Sequence, residues 1–169
     1  MSVQKKKLTR KQLDQKVLYF AYGSNMHQPR LEERVGRVNL IGPYVLQDYK
    51  LTFDTGNFVC SYANVDREEG ETCEGVIYEM TYAQLRMLDR FEALYVRVKE
   101  EYNGRSLHIY ISDHYRQPEK PIDLTIEYHT LLLLGCRTHR LNKSLAIIQA
   151  IEPMPMEIYW KREMYFSAY

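Results

Sequence analysis

Residues 17–26 read VLYFAYGSNM, an apolar run halted by a polar turn, and the fold is decided here. Val17, Leu18, Tyr19, Phe20, Ala21 and Tyr22 favour extended backbone and leave no polar face, which predicts a strand covered on both sides. Gly23-Ser24-Asn25 ends it. Glycine tolerates positive φ and close backbone approach, while Ser and Asn side chains bond to neighbouring main chain instead of extending a strand. The N–H groups of such a turn point at open space, and successive N–H groups in a concave turn hold a carboxylate or phosphate without a cationic side chain. By itself a Gly-Ser-Asn triplet is more often a plain tight connection.

Upstream, Met1–Lys16 is polar and basic, with Lys5-Lys6-Lys7 and Arg10-Lys11. It reads as a solvated tail or short frayed helix rather than a nucleic-acid or membrane arm, leaving 17–169 as a single domain. Downstream, Pro29 suits the first turn of a short helix through Leu31–Val35 that Gly36 can end. Arg37–Asp54 alternates apolar and polar residues, predicting strands with a bend at Gly42. Phe58–Val65 and Thr72–Met80 read as an antiparallel pair around an exposed acidic loop, Asp66–Glu71.

Thr81 is a good N-cap, and Tyr82–Glu92 has helical character with Leu85 and Leu88 on one stripe. At about 100° per residue, Glu92 falls near the middle of that stripe, so a carboxylate is carried on the buried face. Asp89 borders the stripe and is the rival carboxylate. Asn103-Gly104 between Tyr95–Tyr102 and Arg105–Ser112 signals a hairpin. Asp113–Pro121 reads as a loop, Asp123–Cys136 as a helix with Gly135 near its end, and Leu141–Ile151 as a second helix stopped by Pro153 and Pro155. Ile158–Tyr169 is aromatic-rich, a strand or helix packing its rings on the core.

The 169 residues suffice for one core. With 23 basic and 22 acidic residues the net charge is +1, which gives no field for nucleic acid or an anionic membrane. Cys60, Cys73 and Cys136 have no C-x-x-C pairing and no histidine at zinc spacing, and read as reduced, buried thiols of a cytoplasmic protein. No apolar run approaches the ~20 residues of a membrane span. His27, His108, His114, His129 and His139 form no H-x-x-x-H pair, so no metal is expected. Ser24 lacks a G-x-S-x-G elbow.

In order along the chain stand YFAYGSNM (19–26), LQDYKLTF (46–53), GVIYEMT (75–81), LDRFE (88–92), Tyr128 followed by LLGC, and IEP (151–153). With these motifs the sequence resembles the γ-glutamylcyclotransferase-like family. The resemblance implies an α+β fold, a small mixed β-barrel surrounded by helices. It also implies release of 5-oxoproline from a γ-glutamyl amino acid, peptide or amine, without a cofactor. Carried over by motif, Tyr22, Gly23, Ser24 and Asn25 hold the substrate α-carboxylate, Glu92 is the catalytic acid/base and Tyr128 lines the same pocket. The partner implied is a small γ-glutamyl molecule; a homodimer is admissible. Ala93 stands where the family often has glycine, which bears on the pocket rim. The loops at 66–71 and 113–121 are candidates to border the leaving-group side. Two other readings of the same residues are a non-catalytic module binding a small acidic ligand and a γ-glutamyl amide hydrolase.

Overall fold

The apolar run lies at the centre of the molecule. In the computed structural model, which describes residues 8–167, Lys16–Ala21 form β1, buried from Leu18 onward on both faces. With β2 (Asn39–Gly56), β3 (Ser61–Thr81), β4 (Val96–Tyr102) and β5 (Arg105–Ile111) it makes a sheet ordered β2-β3-β1-β5-β4. β1 is antiparallel to β3 from Lys16↔Thr81 to Ala21↔Val76, and parallel to β5 at Leu18↔Leu107 and Tyr19↔His108. Around the sheet pack α1 (Arg10–Leu13), α2 (Gln28–Val35), α3 (Tyr82–Leu88), α4 (Ile126–His139), α5 (Asn142–Gln149) and α6 (Met156–Ser167). Among the described residues no helix is long and apolar enough to cross a membrane. The expected 1–16 tail falls partly on residues 1–7, outside the described residues; Arg10–Leu13 form one turn, capped by Thr9 and Gln12.

The α+β class and mixed sheet match the reading of the sequence, but closure into a barrel does not follow. Among the described residues no backbone ladder joins the edge strands β2 and β4. The sheet curls until those edges touch by side chains: the Tyr44 and Tyr102 rings lie 5.1 Å apart, and the Tyr49 hydroxyl donates to Glu100 at 2.5 Å. The curl has a local cause. β2 and β3 pair with register shifts at Leu40/Gly42, Gln47/Tyr49 and Thr52/Thr55, and bulges of this kind bend a strand and raise its twist.

The second shift corrects the expected loop. Residues 58–65 and 72–80 do not pair with each other, because both sides of the acidic run belong to the single strand β3, opposite β2. Gln47 faces Thr72 and Tyr49 faces Arg67, so residues 68–71 bulge outward against Asp48, whose Oδ1 accepts from Gly70 N–H at 2.9 Å. Other elements follow local chemistry. Pro29 sits in the first turn of α2 and Gly36, at φ 81°, ends it. Asn103 and Gly104 both take positive φ in the β4–β5 turn. α6 is a helix, yet none of its residues is buried, and Trp160 is 56% exposed, so its rings do not pack on the core as expected.

Candidate functional site

β1 ends at Ala21, and the chain turns at once into a single helical turn, Ser24–Met26. Gly23, Ser24 and Asn25 occupy the first positions of that turn, whose N–H groups find no acceptor within it. Gly23 is not at positive φ (−110°), contrary to the expectation from glycine. Its use is space, since a Cβ there would lie 3.3 Å from the Tyr128 hydroxyl. Nor does Asn25 cap its own backbone. Its Nδ2 donates at 3.0 Å both to the Tyr19 hydroxyl and to Glu92 Oε1.

These groups border a cavity of about 270 Å³, lined also by Tyr22, Arg30, Arg34, Phe91, Glu92, Tyr95, Tyr110 and Tyr128. The fold therefore brings all six residues singled out in the sequence to one opening. Glu92 arrives by a different route from the one expected. α3 stops at Leu88, but Glu92 N–H still bonds to Leu88 C=O at 3.2 Å, so helical reckoning places the side chain correctly although the residue lies in the following turn. Asp89 does not join it. It is exposed and held outside by Arg97 at 3.1 Å and by the Tyr110 hydroxyl at 2.7 Å.

The Glu92 side chain is only 13% exposed. Burial raises its carboxyl above the usual carboxylate range, against the opposing pull of the Arg34 guanidinium, the Asn25 amide and Arg30. Arg34 Nη1 reaches Oε1 at 3.1 Å and Asn25 Oδ1 at 3.2 Å, while its guanidinium lies over the Phe91 ring. Both hydrogen bonds to Glu92 end on Oε1. Oε2 is left without a partner among the described residues.

The opposite wall is built on Ala63. Its position falls inside the third register shift of β3, so its main chain is not engaged in the regular ladder. Two tyrosines take the ladder's place: Tyr128 OH accepts from Ala63 N–H at 3.0 Å, and Tyr95 OH donates to Ala63 C=O at 2.7 Å. The Tyr22 hydroxyl donates to Tyr110 C=O. Burial pushes the phenols of Tyr19, Tyr22, Tyr95 and Tyr128 upward, so all four stay neutral.

Arg34, Arg30, Tyr19, Tyr95 and Tyr110 complete the site without having been singled out. For the arginines a signal existed: at i and i+4 in a helix that begins beside the turn, they share a face. For the tyrosines none did, since strand tyrosines are ordinarily packing residues. The loops at 66–71 and 113–121 do not line the cavity. The latter is tied to the end of β2, where Arg116 reaches Asp54 Oδ2 at 2.5 Å and Gly56 N–H reaches Tyr115 C=O at 3.2 Å. Ala93 is exposed, and Leu94 instead contributes to the wall. The three cysteines are buried free thiols outside it, those of Cys73 and Cys136 pushed up by burial to about 12.

The family Gamma-glutamyl cyclotransferase, AIG2-like matches residues 19–130, and the chain belongs to it. Among solved structures it is similar to one described as Gamma-glutamyl cyclotransferase (TM-score 0.69, 23% identity, 85% of this chain and 96% of the other). It is also similar to uncharacterized protein loc79017 from Homo sapiens (0.67, 24%, 85% and 95%) and to YkqA from Bacillus subtilis (0.61, 22%, 83% and 56%). At these identities the likeness is one of fold. No curated protein matches the sequence.

Proposed function

We propose that the protein is a γ-glutamyl cyclotransferase, releasing 5-oxoproline from a γ-glutamyl amino acid, peptide or amine. The observation that carries this reading is a single buried carboxyl group, Glu92, facing the same cavity as the open N–H groups of Gly23, Ser24 and Asn25. The turn receives the substrate α-carboxylate. Glu92 Oε2 takes a proton from the α-ammonium group, whose nitrogen then attacks the γ-carbonyl of the same molecule. The new C–N bond closes the five-membered ring and the old γ-amide C–N bond breaks; Glu92 passes its proton to the departing nitrogen, and the second proton, shed by the ring nitrogen as it becomes the lactam N–H, leaves with the amine as its ammonium form. A carboxyl group with a raised pKa suits both halves of this transfer. Because nucleophile and electrophile share one chain, most of the barrier is met by holding the folded conformer. Tyr128 OH already accepts from Ala63 N–H, so its own proton is free to donate to the substrate.

Mass-spectrometric analysis of products from a panel of γ-glutamyl peptides and amines tests the proposal. Cyclisation yields 5-oxoproline, hydrolysis yields glutamate, and a binding module yields neither. Asp89→Asn is expected to keep turnover within a few fold, because Asp89 faces away from the cavity and an amide oxygen still accepts from Tyr110 and Arg97. If that variant alone silenced the enzyme, Glu92 would be the wrong carboxylate. The pH profile gives a further check. With the Glu92 carboxyl raised, the acid limb of kcat/KM is expected above the ordinary glutamate value of ~4.3; a limb at or below that value contradicts the assignment.

A further inference from the structure

The sheet face that carries Tyr19 and Tyr110 runs on to a second cavity, of about 500 Å³, walled by Lys16, Tyr82, Arg97, Lys99, Arg105 and His108. Tyr19 and His108 are register partners, and His108 lies two residues from Tyr110, so all three share that face. Four cationic side chains meet at this opening, and no carboxylate lines it among the described residues. Arg97 is engaged by Asp89 at 3.1 Å and by the Tyr82 hydroxyl at 3.3 Å, and Arg105 by Glu79 at 3.0 Å. Lys16 and Lys99 have no acidic partner among the described residues.

Lys99 pairs directly across from His108, with Arg97 two positions away on the same strand face. Like charges packed this way on a sheet repel one another; Asp89 offsets Arg97 and Glu79 offsets Arg105, but among the described residues no carboxylate offsets Lys16 or Lys99. His108 is a second, independent sign. It is 4% exposed, and its Nδ1 is buried with no hydrogen-bond partner among the described residues, an arrangement that native interiors seldom leave unused. Burial, with Arg97 and Lys99 adding to it against the weaker pull of Asp89, pushes the imidazole down to about 4. The ring is therefore neutral near pH 7, a hydrogen-bonding group among cations rather than another charge.

We propose that this cavity binds a phosphorylated small molecule through its phosphate group, with Lys16 and Lys99 as the principal charge partners and Arg97, Arg105 and His108 completing the wall. A phosphate dianion brings enough charge and enough acceptor oxygens for several cationic donors at once, whereas a carboxylate brings one charge and two oxygens. The cavity is also larger than a phosphate ion requires, which leaves room for the group it esterifies. This site is separate from the cavity around Glu92 and does not depend on the cyclotransferase reading.

The test is a titration of the full chain, with labelled histidines, using inorganic phosphate and ribose 5-phosphate at low ionic strength, followed by NMR. Of the five histidines, His108 is expected to show a saturable shift and a raised titration midpoint, since a neighbouring dianion favours imidazolium. Affinity is expected to fall roughly tenfold or more in the Lys16→Gln/Lys99→Gln double variant. Both lysines are exposed, so the variant keeps the parent fold. Binding of ribose 5-phosphate at least as tight as that of inorganic phosphate supports an esterified ligand, and tighter binding of free phosphate overturns that part. A His108 signal that does not respond, a response at His27 instead, or equal affinity in the double variant overturns the site.

Discussion

Glu92→Gln is expected to fold as the parent does and to lose roughly 10²–10⁴-fold in kcat for 5-oxoproline release, the share that proton transfer by a positioned side chain contributes. The substitution is close to isosteric, and its amide oxygen can still accept from Asn25 Nδ2 and Arg34 Nη1, the two donors now on Oε1. What it removes is the proton carrier. Stability should move the other way. The carboxyl is raised in the folded protein, so the native state binds the proton more tightly than the unfolded chain does. Stability therefore falls as pH rises above the ordinary glutamate value and until the raised one is passed, so at pH 7 the buried Glu92 weighs against the fold. The variant's Tm is expected to equal or exceed the parent's at pH 7, with the difference closing at acid pH below the ordinary glutamate value. A variant that turns over normally excludes the mechanism. A variant that melts well below the parent would mean that the Glu92–Arg34 contact stabilises the protein by more than burial of the charge costs.

The stretch 17–26 was legible because its signals agree at every level. A β-favouring apolar run needs cover on both faces, and a central strand supplies it; a Gly-Ser-Asn turn needs somewhere to open, and the end of that strand supplies a cavity. The Asn103-Gly104 turn and the Pro29 to Gly36 helix were readable for the same reason, since backbone chemistry alone decides them. Asp66–Glu71 was not. Five charged residues and a glycine read as a loop, but Asp66 and Arg67 stay on the ladder with β2 and residues 68–71 bulge from the same strand, so the run meets solvent without leaving the sheet. The edge contact between Tyr44 and Tyr102 was equally hidden, because no local pattern reports how far a sheet will curl.

In the site, the carboxylate was plainly visible and its controls only faintly. Periodicity finds Glu92 because an acid on an apolar stripe violates the expected pattern, but Arg34, which sets how strongly that acid is held, is marked only by the helix face it shares with Arg30, a spacing common among surface arginines. Ala63 is harder still. Its side chain does nothing distinctive, and the site uses its main chain, freed by a register shift and claimed by Tyr95 and Tyr128.

Gly135→Ala is expected to destabilise the protein by about 1–2 kcal/mol and to impair turnover, although helix propensity alone predicts the opposite. Gly135 lies inside α4 rather than near its end, and replacing an interior helical glycine by alanine ordinarily gains roughly 0.5–1 kcal/mol. Here the added Cβ would stand 2.6 Å from Met26 Cβ and 3.2 Å from His27 N, against an optimal carbon separation of ~3.5–4.0 Å. Met26 cannot move aside. It is fully buried, its N–H bonds to Gly23 C=O at 3.0 Å, and its C=O faces the Tyr78 hydroxyl at 2.8 Å and a His139 ring nitrogen at 3.1 Å. The helix must yield instead, and overpacking of this kind costs about 1–3 kcal/mol, more than propensity returns. Withdrawal of α4 also carries Tyr128, two turns earlier on the same helix, away from Ala63 and the cavity. Displacement near 1 Å of a positioning group can cost ~10²-fold in rate, so kcat/KM should fall further than the loss of folded protein explains. Thermal melts and steady-state kinetics on one preparation separate the two effects. A raised Tm with full turnover would mean that the Met26 turn gives way to the helix, and that the turn holding the substrate carboxylate is softer than its hydrogen bonds indicate.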